Sequence, residues 1–395
     1  MVKYCILLFA SLFIIVNTFC QTFITEVDAI GLTIKNSKNL VASDLAIKQQ
    51  KQLLKASINL PNPEVFIESP TGKFYTTSIT QTIEFPTVYK NQKQVQKQRI
   101  GLAEKEKELS IGEISYQVKQ LYLSLQYADT LQKQLYMQDT VYERISKSAS
   151  RQFDAGQIDY LQKLFTETQY GEIHNQYLQA QISLKNLQNQ LRFITGFKGD
   201  FSISPFFIAN DNIVIGINEN FAFTTNPSLQ LYKQTELIEQ KNIELQKSKA
   251  MPGLAFGYFN QGERSTPFAN RFRFGFTVPL WFGQYQSNIS AAKTELALVQ
   301  QKTSGLQQQL SLQLIQAQNE WLINQQSVYY YQYTGIKKAN EIIATAKRLL
   351  ESGEIDYVNY LRNINDAYAI KLKYLEAVKN YNQSLLSIKY LTGTL

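Results

Sequence analysis

The chain contains itself twice. The run RQFDAGQIDY at 151–160 returns as RLLESGEIDY at 348–357, and the match continues without a gap. Leu164, Ile173, Tyr177, Leu178, Ala180, Thr195 and Gly196 reappear as Leu361, Ile370, Tyr374, Leu375, Ala377, Thr392 and Gly393. A tandem duplication of this length means that one structural plan must fold twice and pack against its own copy.

Both halves carry the same order of elements. Residues 21–196 form the first repeat, 197–226 a connector without clear period, and 227–395 the second repeat. A helical stretch (Glu26 to Leu60; Pro227 to Ala250) runs into a proline break, at Pro61 and Pro63 or at Pro252. Strand-like sequence follows at 63–85 and about 253–280, ending at Phe85-Pro86 and at Val278-Pro279. A very long helical stretch then leads to Gly156 or Gly353, and a last helix ends each repeat.

Period-two alternation identifies the strands. Phe272, Phe274, Phe276 and Val278 alternate with Arg271, Arg273, Gly275 and Thr277, and Leu254, Phe256 and Tyr258 with Ala255, Gly257 and Phe259. In the first repeat Tyr75, Thr77, Ile79, Ile83 and Phe85 alternate with Thr76, Ser78, Thr80, Thr82 and Glu84. Aromatic residues gather at the strand ends, at Phe74, Tyr75, Phe85, Trp281 and Phe282, as an interfacial belt requires. Each hairpin therefore predicts one apolar and one polar or small face.

The helices set the scale. No proline interrupts Pro86 to Ser150, and Ile114, Val118, Leu121, Leu125, Ala128, Leu131 and Leu135 step by threes and fours along one stripe. A helix of that span would be roughly 95 Å long at about 1.5 Å per residue. Its other face, rich in Gln, Lys, Ser and Tyr, reads as water-facing.

Met1–Cys20 has one cation, Lys3, an apolar run Tyr4–Val16 and a short polar stretch, the layout of a secretory signal peptide. Cleavage after Cys20 fits Thr18 and Cys20 and starts the mature chain at Gln21; lipidation of Cys20 is the alternative, set against the bulky Phe19 before it. Both cysteines, Cys5 and Cys20, lie in this leader, and His174 is the single histidine. Such an inventory builds no thiolate nucleophile, triad or zinc site, so the chain reads as no enzyme, without a cofactor or metal. His174 reads as a solvated helix-face residue. The net charge of +8 is scattered along helices, which argues against nucleic acid. After the leader no apolar stretch approaches the ~20 residues of a membrane helix. Membrane contact would then fall to the strands, and two hairpins cannot close a barrel alone. Closure by a homotrimer gives about twelve strands.

These features together resemble the outer-membrane efflux protein (TolC) family over essentially the whole mature length. The duplicated plan carries the resemblance, with the turns at Gly156 and Gly353 and the preceding Arg151 and Arg348. The phrases at 78–89, 257–261 and 278–282 look most like the heavy-metal cation efflux branch (CusC/CzcC-like). The resemblance implies a mainly α fold with a membrane β-barrel, a trimeric duct with four strands per protomer. It also implies an outer-membrane location, a helical tunnel in the periplasm, and two partners: a periplasmic adaptor and an inner-membrane RND-type transporter. The tips Arg151, Gly156, Gln157, Ile158 and Asp159, and Arg348, Gly353, Glu354, Ile355 and Asp356, would meet the adaptor. Relatives often place an aspartate six residues after the tip glycine, where this chain has Gln162 and Asn359. Asp159 and Asp356 read instead as helix caps. A multidrug efflux or type I secretion duct, a periplasmic coiled-coil adaptor and a structural coiled coil are the competing readings.

Overall fold

A computed structural model describes residues 22–69, 72, 74–209, 223–260 and 267–395. The leader Met1–Cys20 and both readings of Cys20 lie outside the described residues, as do 210–222 of the connector and 261–266 of the second hairpin. In chain order the elements are β1 (Thr22–Ile24), α1 (Glu26–Asn36), α2 (Lys38–Lys55), β2 (Glu64–Glu68), β3 (Thr76–Ile83), α3 (Pro86–Asp154), α4 (Tyr160–Thr195) and β4 (Phe201–Ile203). The second half follows with α5 (Pro227–Lys249), β5 (Gly253–Phe259), a 3-10 turn (Phe268–Arg271), β6 (Phe272–Thr277), α6 (Phe282–Tyr330), a π-turn (Tyr331–Gly335), α7 (Ile336–Glu351) and α8 (Tyr357–Thr392). The chain divides into two compact units, one of residues up to Asn36 with Leu121–Phe207, the other of Ser37–Gln120 with Ile208–Leu395.

In the first unit β1 pairs with β4 in parallel, Phe23 opposite Ser202. Thr25 and Asp28 start α1 as a reciprocal cap: Asp28 N–H donates to the Thr25 hydroxyl and Thr25 N–H to the Asp28 carboxylate, both at 3.1 Å. α1 packs on α4, and the Asn36 amide donates to the Thr195 carbonyl at the end of α4. From α3, Leu125, Ala128, Leu135, Tyr142 and Ala149 are buried, continuing the predicted stripe; Leu121 and Leu131 are half-buried. Leu125 is fully enclosed, so truncation to Ala should cost about 2–5 kcal/mol. The buried Tyr122 hydroxyl donates to the Ile24 carbonyl and accepts from Ser204 N–H, each at 2.9 Å, holding the short ladder to α3.

In the second unit β2, β3, β5 and β6 form one antiparallel sheet in that order. Val88 and Val95 of α3 pack with Ile238 and Leu245 of α5, each pair seven residues apart as in a coiled-coil seam. α6 packs against both α5 and α8, and α7 against α8. α3 runs 69 residues unbroken, about 100 Å at 1.5 Å per residue. The matching run from Phe282 to Glu351 is one residue longer, and the π-turn Tyr331–Gly335 lies within it without ending the helix.

One expectation is corrected. The helix expected over Glu26 to Leu60 is two helices: Ser37 is extended and its side chain accepts from Leu40 N–H, capping α2, which stops at Lys55. The connector, which has no clear period in sequence, contributes β4 and then Asn226, whose side chain caps α5 by accepting from Leu229 N–H.

Candidate functional site

Hydrogen-bond register fixes which sheet residues share a face. Val65, Ile79, Tyr258 and Phe272 lie in one cross-strand row; Gln81, Phe256 and Phe274 form the next, and Ile83, Leu254 and Phe276 the one after. This face is therefore apolar from β2 to β6, interrupted only by Thr77 and Gln81 among its described positions. The Gln81 amide is not left bare, since it donates to the Pro61 and Thr82 carbonyls. Its large side chains stand open: Phe274 is 79% exposed, Phe276 76% and Ile67 69%. A single chain thus presents a contiguous apolar wall to its surroundings, well beyond the scattered apolar residues of an ordinary surface.

The opposite face is small or polar apart from Phe66 and Phe259. Glu64, Thr80, Gly257 and Arg273 share one row there, and Phe66, Ser78 and Phe259 the next. Two of its glycines leave room where the strands crowd. A Cβ at Gly253 would fall 2.6 Å from the Thr277 hydroxyl, and one at Gly257 2.7 Å from the Phe259 ring. The Arg273 guanidinium lies 3.8 Å from the centre of the Phe259 ring, a cation–π contact. Among the described residues, β2 and β6 each pair on one side only, so the sheet has two open edges.

The two turns share one hydrogen-bond pattern. Gly156 has φ +69°, with its N–H donating to Phe153 and Gln157 N–H to Gln152, both at 2.8 Å. Gly353 has φ +77°, with its N–H donating to Leu350 and Glu354 N–H to Leu349. Both are Schellman closures, which need a left-handed residue just past the helix. Asp159 and Asp356 then start α4 and α8, their carboxylates accepting from Gln162 N–H at 2.8 Å and Asn359 N–H at 2.7 Å. Arg151 and Arg348 lie in the last turns of α3 and α7, where the helix dipole favours a cation. Gly156, Gln157, Asp159, Gly353, Glu354 and Asp356 are exposed, and Ile158 and Ile355 half-buried.

Equivalent sequence does not give equivalent surroundings. Tyr160 and Leu164 after the first turn are 61% and 43% exposed, while their counterparts Tyr357 and Leu361 are 8% and 0%. The first turn therefore carries an apolar, accessible flank that the second lacks.

His174 keeps its expected place on a helix face, its side chain 43% exposed, and makes a contact the sequence does not show. Its Nδ1 is 3.0 Å from the Asp139 carboxylate, and its ring lies between Tyr170 and Tyr177. It ties α4 to α3. No sequence period marks Asp139 as its partner, because the two lie on different helices.

Among the described residues, no helix is long and apolar enough to cross a membrane, and no group of three His, Cys, Asp or Glu residues is placed to hold a metal ion. No family model and no curated protein matches the chain. Solved structures do. The chain is similar to the CmeC outer membrane channel of Campylobacter jejuni, with TM-score 0.76 and 14% identity over 93% of this chain and 85% of that one. It is similar to CusC, with TM-score 0.76 and 13% identity over 94% and 93%. It is also similar to the outer membrane protein VceC from Vibrio cholerae, with TM-score 0.74 and 11% identity over 93% and 96%. The chain has the fold of these channels, helical rods joined to a small antiparallel sheet.

Proposed function

We propose that the chain is the outer-membrane duct of a tripartite efflux system: a homotrimer whose sheets close into one barrel and whose helices form a periplasmic tunnel. The observation that carries this reading is the four-stranded sheet, apolar along one face, mostly small and polar along the other, and open at both edges. In lipid an open edge leaves backbone donors and acceptors unsatisfied, at several kcal/mol each. Because β2 and β6 run antiparallel to their neighbours, the up-and-down alternation continues correctly from β6 of one copy to β2 of the next. Three copies give a barrel of about twelve strands, inside the range of outer-membrane barrels.

In this reading the duct is passive, the turns at Gly156 and Gly353 dock to a periplasmic adaptor, and energy comes from an inner-membrane RND-type transporter. The carboxylates of Asp159 and Asp356 are engaged with backbone N–H groups, which favours capping over a gating role. Heavy-metal cations are the proposed cargo class, supported by the phrases at 78–89, 257–261 and 278–282. Selection among cargoes would belong to the transporter. Deleting the coding sequence should raise intracellular accumulation of the exported cation, and a plasmid copy should restore it. Unchanged accumulation of cations alongside raised accumulation of organic dyes would move the cargo to the multidrug class; no change in either would oppose an efflux role.

A further inference from the structure

The sheet's two open edges carry opposite charge on the same face. β2 presents Glu64 and Glu68 on either side of Phe66, and β6 presents Arg273, followed by Gly275 and Thr277. Within one chain these edges are three strands apart, and Glu64 shares its row with Arg273 through Thr80 and Gly257. In a flat sheet the next copy would repeat that row. A closed barrel cannot be flat.

The direction of its tilt is written in the apolar face. On β2 the apolar positions are Val65 and Ile67, level with Ile79 and Thr77 of β3. On β6 they start at Phe272, level with Ile79, and run through Phe274 to Phe276, opposite Leu254, with the exposed Val278 just past the strand. The apolar band therefore climbs toward the Thr277 end of β6 across the four strands. To stay level in a bilayer, the next copy's β2 must be displaced the same way. Four strand spacings of about 4.8 Å, crossed at a tilt of roughly 35–45°, displace the chain by about four to six residues. Only an even displacement keeps the apolar residues outside.

Resting on the trimeric reading above, we infer that Glu68 of one copy meets Arg273 of the next on the interior face, forming an ion pair at each of the three seams. A displacement of about four residues puts the two directly opposite, and one of about six makes them diagonal neighbours, both within side-chain reach. Glu64 moves away, toward Thr277 and Pro279. The occupant of each edge is a second copy of this chain, chosen by complementary charge and by the level of the apolar band.

Paired cysteines test the register. Glu68→Cys with Arg273→Cys, purified from outer membranes in detergent and treated with a thiol cross-linker spanning about 8 Å, should give dimer and trimer bands. Their yield should be several times that of either single substitution, which reports any background from Cys5 and Cys20. Three strand spacings, roughly 14 Å, separate β2 from β6 inside one chain, beyond the span of the cross-linker, so the bands report contacts between copies. Glu64→Cys with Arg273→Cys should not exceed background. Stronger cross-linking of the Glu64 pair in a protein that is still trimeric by mass would overturn this register and leave the trimer standing. A protein that is not trimeric would overturn both. Charge exchange tests the ion pair itself: Glu68→Arg should lower the temperature at which the trimer dissociates in detergent, and adding Arg273→Glu should restore it. Failure to restore in an assembled trimer would overturn the pair.

Discussion

Replacing Phe274 by lysine probes the sheet where its two faces differ most. Phe274 is 79% exposed in the single chain and packs edge-on against Phe256, with ring centres 5.5 Å apart. Losing the ring pair costs about 0.5–1.5 kcal/mol. A lysine facing hydrocarbon near the bilayer midplane adds about 2–4 kcal/mol. Three copies each carry that cost, and every 1.4 kcal/mol is about a factor of ten in an equilibrium. Phe274→Leu removes the ring pair and not the apolar character, so it separates the two contributions. Thr277, three residues along, pairs with Gly253 on the small, polar face; a lysine there should meet the barrel interior and leave assembly intact. The assay is the yield of heat-modifiable trimer in outer-membrane fractions. We expect Phe274→Lys to lose trimer by at least tenfold, with Phe274→Leu and Thr277→Lys near the unmodified protein. Equal tolerance of the two lysines, or the reverse order, would show that the apolar face does not meet lipid.

Further expectations concern the turns and helices. A Cβ at Gly156 or Gly353 would meet nothing within 4 Å, so valine there is opposed only by the positive φ, about 1–2 kcal/mol per turn; the double variant should assemble normally yet fail in efflux, and unimpaired efflux would remove the turns as docking points. Asp159→Asn and Asp356→Asn keep a capping side chain and should leave efflux and stability unchanged, whereas alanine at either should cost about 1 kcal/mol in thermal denaturation; loss of efflux with asparagine would show that the charge itself matters. Burial raises the Tyr360, Tyr368 and Tyr374 phenols above the usual tyrosine range. The folded chain then retains protons that the unfolded chain gives up above about pH 10, so stability should be level below that pH and fall as it rises, and the Tyr360→Phe, Tyr368→Phe double variant should flatten the fall.

Much of this fold is legible because its demanding positions are chemically marked. A reversal between two helices needs a left-handed residue and then a cap, and Gly156 with Asp159 and Gly353 with Asp356 spell that requirement twice. The strands are readable because Phe272, Phe274 and Phe276 alternate with Arg273 and Gly275 over enough residues to fix a period. β1 and β4 have three residues each, too few for alternation to distinguish them from loop, and they are held by Tyr122 from a distant helix. The break at Ser37 lacks proline or glycine, so the helical pattern reads straight across it. The contrast between exposed Tyr160 and buried Tyr357 cannot be read from the shared turn motif, since both tyrosines follow the same Ile-Asp pair and tertiary packing makes the difference.

The central claim is that one chain holds an incomplete barrel that three copies complete. Its most direct test is the mass of the protein after detergent extraction from outer membranes, measured by light scattering with the detergent contribution subtracted. The account predicts a single species close to three times the 45.4 kDa chain mass, reduced by any leader removed, and no release without detergent. A monodisperse single chain that is stable in detergent-free buffer would contradict it.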